Sequence, residues 1–148
     1  MAPMIVLALV TLIARIFRPW PDAARIGLAV MFVFTATAHF NSMKHDLAAM
    51  IPPPLTGALW LIYLTGLMEI AGAIGLLIPR FRTAAAIGLV LMLVALFPAN
   101  IYAALNDVPL RGNAPTPLWL RTPMQLLWMA LLWWTSIPVK RIGPVPHY

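Results

Sequence analysis

Cysteine is missing from all 148 residues, which removes disulfides, iron–sulfur clusters, thiolate zinc and Cys-x-x-Cys redox chemistry from the chain itself. Charge is scarce as well. Only 9% of residues are charged and four are acidic, against roughly 25% charged in soluble domains. With 62% apolar residues, against the usual share of roughly 45–50%, the composition does not suit a surface that faces water. The net charge of +6 stands as single residues and pairs between apolar runs. A nucleic-acid binder gathers its basic residues into one patch, so no nucleic-acid partner is expected. No phosphate loop, dinucleotide fingerprint or nucleophile elbow occurs, and no internal repeat or low-complexity tract stands out.

What is present is a set of long uncharged runs. Stretches 26–43, 55–79 (broken only by Glu69), 83–106 and 122–139 each approach or exceed the roughly 20 apolar residues that cross a bilayer as a helix. They predict an all-α membrane protein, a four-helix transmembrane bundle with spans at 23–42, 56–79, 82–105 and 119–139. Arg25 can extend the first span by snorkelling to the interface. The opening segment 1–18 has an apolar part of only 14 residues, Met1–Ala14, too short for a standard span. Its basic residues follow its apolar part, the reverse of a cleaved signal, so it reads as a retained, short N-terminal hydrophobic helix that spans or lies at the interface. Arg18-Pro19-Trp20-Pro21 then turns the chain.

Basic residues set the orientation. Arg15, Arg18, Arg25, Arg80, Arg82, Lys140 and Arg141 fall on one side, and only Lys44, Arg111 and Arg121 on the other. The positive-inside bias then places the 80–82 turn and the C-terminus in the cytoplasm. The Pro-rich loops 42–56 and 105–120 lie outside, and the expected location is a plasma membrane of bacterial inner-membrane type, crossed several times.

Lipid offers a polar group no hydrogen-bond partner, so an intramembrane charge faces the protein interior and is a functional candidate by default. Glu69 is that charge, placed by a helix entering near Leu55 at roughly 20 Å depth. Residues three and four apart share a helix face, which gives each span one polar stripe: Thr35, His39 and Ser42; Thr65, Glu69 and Gly72; Leu93, Phe97 and Asn100; Arg121, Gln125 and Trp128. His39, Asn100, Arg121 and Gln125 all fall in the outer half. Together they predict an outward-opening polar pocket with Glu69 at its floor. Each member also has a packing account. Glu69 can act as interhelical glue, His39 as an interfacial residue, Arg121 as a snorkelling one, and Gln125 and Trp128 as interhelical and belt residues. Asn100 can satisfy the carbonyl that Pro98 frees one turn back. One His and one Glu fall short of the three protein ligands of a catalytic zinc, so no metal is expected. Ala71-x-x-x-Gly75 and Ala84-x-x-x-Gly88 fit close helix packing.

In order along the chain, His39-Phe40, Met50-Ile51-Pro52-Pro53, Leu64-Thr65-Gly66-Leu67-Met68-Glu69, Gly75-Leu76-Leu77-Ile78-Pro79-Arg80, Phe97-Pro98-Ala99-Asn100-Ile101-Tyr102, and Leu118-Trp119-Leu120-Arg121 with Gln125 resemble the DoxX family of small membrane proteins. The resemblance covers residues 26–135. It implies a compact four-helix membrane bundle, mostly bacterial, with relatives among quinone-linked oxidoreductase subunits and redox-stress complexes. Carried over residue by residue, it points to the same five positions: Glu69, His39, Asn100, Arg121 and Gln125. Thiol chemistry attributed to relatives has no counterpart in this chain.

Three functions compete at this level. In the first, the pocket holds a quinone or similar amphiphile beside a membrane or peripheral redox partner, with Glu69 and His39 relaying protons and Arg121, Asn100 and Gln125 donating hydrogen bonds. In the second, the bundle is a non-catalytic assembly or interaction subunit. The third is solute transport, for which the broken helices and inverted repeats of transporters are lacking apart from Pro98. Whether the protein is an enzyme is left open by the sequence.

Overall fold

Proline punctuates this chain. Pro19 (φ −62°) and Pro117 (φ −62°) stand as N-caps of two helices, where a fixed φ and a missing N–H cost nothing. Pro79 drives the preceding Ile78 to extended backbone (φ −92°, ψ 114°) and so ends a third. The computed structural model describes residues 2–137. Among them are six α-helices: α1 (Ala2–Arg15), α2 (Trp20–Ala36), α3 (Lys44–Ala49), α4 (Leu59–Leu77), α5 (Arg82–Leu105) and α6 (Leu118–Ser136). No strand occurs among the described residues.

The helices pack in cyclic order. α2 lies on α4, α4 on α5, α5 on α6 and α6 back on α2, while α1 folds back along α2. Leu28, Met31, Phe32, Leu76, Leu89 and Leu132 are the largest fully buried side chains and fill the centre of this ring. The α1–α2 approach depends on Gly27. A Cβ there would stand 2.1 Å from Thr11 Oγ1 and 3.0 Å from the Leu7 carbonyl, closer than van der Waals contact permits.

Three helical stretches, Trp20–His39, Leu59–Leu77 and Arg82–Leu105, are long and apolar enough to cross a membrane. α6 matches α4 in length, at 19 residues each, but is less apolar, because Arg121, Gln125 and four tryptophans sit within it. Around the ring the outward side chains are large and apolar, among them Leu91 (63% exposed), Trp60 (61%) and Leu126 (59%). Such a continuous apolar coat is foreign to a monomer in water.

Several local details differ from the sequence expectations. The first span stops being α-helical at Ala36 and tightens into a 3-10 turn, Thr37–His39. The Thr37 hydroxyl donates to the Phe34 carbonyl at 2.7 Å, helping to satisfy the orphan acceptors of the helix end. The loop expected at 42–56 contains α3. Arg25 does not snorkel: it is 6% exposed, its Nη1 donates to Asp22 Oδ1 at 2.5 Å, and its Nε and Nη2 donate to the Thr135 carbonyl. With Thr83, whose hydroxyl donates to the Ser136 carbonyl at 3.0 Å, it caps the C-terminus of α6. A pairing this complete outweighs the pull of the interface. Lys140, Arg141 and the final part of the 119–139 span lie outside the described residues, as does the C-terminal side assigned from them.

Candidate functional site

The ring has two ends. One carries Arg25 and its capping bonds; the other carries the loops 40–58 and 106–117, and a cavity of about 450 Å³ opens beneath those loops. It is lined by all five sequence candidates, His39, Glu69, Asn100, Arg121 and Gln125, together with Thr35. Cavities that bind small molecules run from about 300 to 1,000 Å³. Met50, Ile62, Leu96 and Trp128 supply much of the apolar remainder, so polar groups are few and placed.

These polar groups form two clusters on opposite helix pairs. On α2 and α4, Thr35 Oγ1 donates to Glu69 Oε2 at 2.9 Å, and Thr35 is also within 3.0 Å of the Phe32 carbonyl. His39 Nδ1 faces the same carboxyl oxygen at 3.9 Å, beyond hydrogen-bond reach, and is buried with no partner among the described residues. Both Glu69 and His39 are buried, at 7% and 8% exposed. A ligand group placed between Nδ1 and Oε2 would bond both.

His39 can occupy this place because position 66 has no side chain. A Cβ on Gly66 would lie 2.6 Å from His39 Cβ and 3.0 Å from Cγ. Gly66 precedes Glu69 by three residues, so the two share a face of α4: the glycine admits the imidazole and the glutamate meets it.

On α5 and α6 the bonds run in one direction. Arg121 Nη1 donates to Asn100 Oδ1 at 2.8 Å, Asn100 Nδ2 donates to Gln125 Oε1 at 3.5 Å, and Gln125 Nε2 donates to the Leu93 carbonyl at 2.8 Å. Each amide is oriented by the donor before it. Pro98 sits inside α5 and takes a hydrogen bond away from the turn before it. The carbonyl so freed is that of Val94, and Gln125 of the neighbouring helix bonds the adjacent carbonyl, that of Leu93. Asn100 instead turns to Arg121 and Gln125. Arg121 thus enters the cavity with one neutral acceptor, and no carboxylate pairs with it among the described residues.

Other sequence candidates land elsewhere. Ser42 is exposed, beyond the end of the 3-10 turn. Gly72 faces Leu89 of α5, to which a Cβ would come within 2.6 Å, so its role is packing. Trp128 lines the cavity and its indole N–H points to Met4 Sδ at 3.2 Å, tying α1 to the site. Sequence reasoning missed three contributors. Thr35 reads in the sequence only as part of a stripe, whereas in the structure it is the hydrogen-bond donor to Glu69. Gly66 carried a readable signal in its spacing. Arg111, a loop residue used only for topology, lines the cavity mouth. A second, wholly apolar groove lies between α4 and α5 around Gly72, Gly75 and Gly88 and carries no chemistry. Among the described residues no three His, Cys, Asp or Glu side chains gather as metal ligands.

Residues 28–136 match the family described as a domain of unknown function, DUF8561, and with most of its length covered the chain belongs to that family. The match begins in α2 and ends with α6, so it takes in His39, Glu69, Asn100, Arg121 and Gln125 but not Ala2 and Pro3, through which α1 also lines the cavity. No curated protein and no solved structure matches the chain.

Proposed function

We propose that this DUF8561 protein is an integral membrane protein, a four-helix transmembrane bundle (α2, α4, α5, α6) with α1 laid against it, that holds a small amphiphile in its outward-opening cavity. The ligand class that suits the cavity best is a quinone, handled beside a redox partner protein in a bacterial inner membrane. The apolar coat of the ring supports insertion, and the excess of basic residues at the Arg25 end supports a cytoplasmic placement of that end and of the C-terminus. The resemblance of the residue order to the DoxX family supports the redox link.

One observation carries the reading: polar side chains from four helices converge on a single cavity in two clusters of unlike chemistry. A para-quinone has two carbonyl oxygens at opposite ends of a flat apolar ring. Arg121, Asn100 and Gln125 are donors suited to hold one oxygen. Glu69 and His39 can both hold and exchange a proton at the other. Reduction to the quinol needs two electrons and two protons; the chain contains no cysteine and no dinucleotide fingerprint, and no metal-ligand set gathers among the described residues, so in this reading a partner protein supplies the electrons while Glu69 and His39 pass the protons.

The test is to purify the protein from its own host in mild detergent and to analyse the extract for bound quinone by mass spectrometry and ultraviolet spectroscopy, beside Glu69→Gln. A stoichiometric quinone that the variant loses is the expected result. A cofactor-free protein, with partner-linked quinone reduction unchanged in Glu69→Gln and His39→Ala, would transfer the protein to the assembly reading, in which the same hydrogen bonds only hold the helices together.

A further inference from the structure

Over the mouth of the cavity the chain makes a tight turn, Leu110-Arg111-Gly112-Asn113. The Leu110 N–H donates to the Asn113 carbonyl at 2.9 Å, and the Asn113 N–H donates to the Leu110 carbonyl at 3.1 Å. Both central residues are left-handed, Arg111 at φ 54° and Gly112 at φ 70°, the pattern of a type I′ turn. Such turns favour Asn, Asp or Gly at the first central position, because other L-residues crowd their own backbone there. Arginine carries the ordinary cost of an L-residue there, roughly 1–2 kcal/mol.

The strained residue is held in place. Its backbone N–H donates to Asp46 Oδ2 of α3 at 2.9 Å, and its Nε approaches Met43 Sδ at 2.8 Å. Asp46 is spent on the backbone rather than on the guanidinium, which sits against a thioether, a weak acceptor. Leu110, Arg111 and Thr116 of this loop line the same cavity as Arg121. Arg111 and Arg121, from separate elements, therefore line one cavity, and neither is paired with a carboxylate among the described residues.

We infer that Arg111 and Arg121 form a head-group site at the cavity mouth, which binds the acceptor-oxygen end of the ligand, a carbonyl or carboxylate on an apolar body. Guanidinium donates up to five hydrogen bonds and accepts none, so this mouth selects oxygen acceptors over heads that must also donate. The turn at 110–113 brings one half of the pair, and strain at a residue bordering a cavity is the kind of outlier that function retains. The inference deepens the quinone reading and rests on the cavity described with it.

The discriminating variant is Arg111→Gly. Glycine adopts the left-handed conformation without crowding, so the substitution keeps the turn and its backbone bond to Asp46 while removing the side chain with its guanidinium. Binding of decylubiquinone, dodecanoate and dodecanol to the detergent-purified chain is measured for wild type, Arg111→Gly and Arg121→Gln, with the unfolding temperature of each. The expected result is that decylubiquinone or dodecanoate binds at least tenfold more tightly than dodecanol, that each variant loses about tenfold of this preference, and that Arg111→Gly unfolds no lower than wild type. Preference for decylubiquinone identifies the carbonyl source and preference for dodecanoate the acid. Unchanged binding in Arg111→Gly overturns the inference, as does a lowered unfolding temperature with binding intact, which would make Arg111 a structural latch.

A second readout needs no ligand. The cysteine-free chain accepts a single Thr65→Cys on the cavity wall, and a membrane-impermeant methanethiosulfonate should label it several-fold faster when Arg111→Gly opens the mouth. Equal labelling rates would remove Arg111 from the mouth. Quinone found by co-purification together with an Arg111→Gly variant that binds normally sinks the head-group site alone. Absence of any binding to wild type, with Thr65→Cys unlabelled, sinks the cavity reading with it.

Discussion

Replacing Gly66 by alanine tests the site through its packing. The added Cβ would start 2.6 Å from His39 Cβ and 3.0 Å from both His39 Cγ and Phe40 Cε2, whereas carbon atoms rest at about 3.5–4.0 Å. About an ångström must be recovered. The atom in the way is a Cβ, tied to the backbone of the 3-10 turn, so no rotamer change of His39 relieves it, and α4 and the turn must separate. Overpacking of this kind costs about 1–3 kcal/mol, while alanine for glycine inside a helix returns up to about 1 kcal/mol. The net expectation is a loss of up to about 2 kcal/mol, or several degrees in unfolding temperature for a chain of this length. Gly88 provides the control, because a Cβ there meets nothing within 4 Å, so Gly88→Ala should hold or raise stability. The assay is thermal unfolding in one detergent followed by circular dichroism, with quinone occupancy measured on the same samples. Gly66→Ala should also widen the 3.9 Å separation of His39 and Glu69 and lower occupancy. If Gly66→Ala proves as stable as Gly88→Ala and retains its ligand, the close seat of His39 on α4 is wrong.

Other perturbations separate the two ends of the ring. Arg25→Leu removes the donors to the Thr135 carbonyl and should cost about 1–3 kcal/mol, the penalty of a buried acceptor left unsatisfied, while ligand occupancy at the far end is unchanged; thermal unfolding and co-purification check the pair. Gln125→Leu deprives the Leu93 carbonyl and Asn100 of partners and should cost a comparable amount but also lower occupancy, because the Arg121–Asn100 arrangement loses its anchor. Glu69→Gln keeps the size of the side chain and an acceptor for Thr35, so its unfolding free energy should stay within about 1 kcal/mol of wild type even as bound quinone is lost; a large destabilisation would mark Glu69 as glue. A topology reporter at residue 110 should lie outside the cytoplasm, and a cytoplasmic signal would invert the arrangement of the cavity.

Much of the helix plan was legible because it rests on chain-local physics. Long apolar runs bounded by Pro79, Pro117 and the 80–82 charges mark α4, α5 and α6 closely, and proline acts through its own ring and its immediate neighbours. What local reasoning could not see was tertiary. The last turn before His39 tightens because Thr37 bonds back to Phe34 and the segment must cross α4 at Gly66, and neither fact appears in the hydropathy of 23–42. Arg25 looks identical in sequence whether it snorkels or caps another helix. Only the position of Thr135, 110 residues away, decides the matter.

The grouping of the five site candidates was legible for a different reason: a polar group in an apolar run has few places to go, so depth and helix face together restrict it to the interior. The same logic fails where polarity is cheap. Arg111 sits in a loop, where arginine is unremarkable, and its significance comes from a backbone angle that no residue count discloses. Thr35 suffered the opposite fault, since threonine inside a helix can always bond its own backbone, as Thr35 does with Phe32, and only the approach of Glu69 gives it a second task. Burial therefore announces the floor of this cavity in the sequence, while its mouth and its supporting hydrogen bonds become visible only once the helices have met. On the proposed reading, substitutions at the mouth alter which ligand is accepted without disturbing the helix packing that the apolar runs encode.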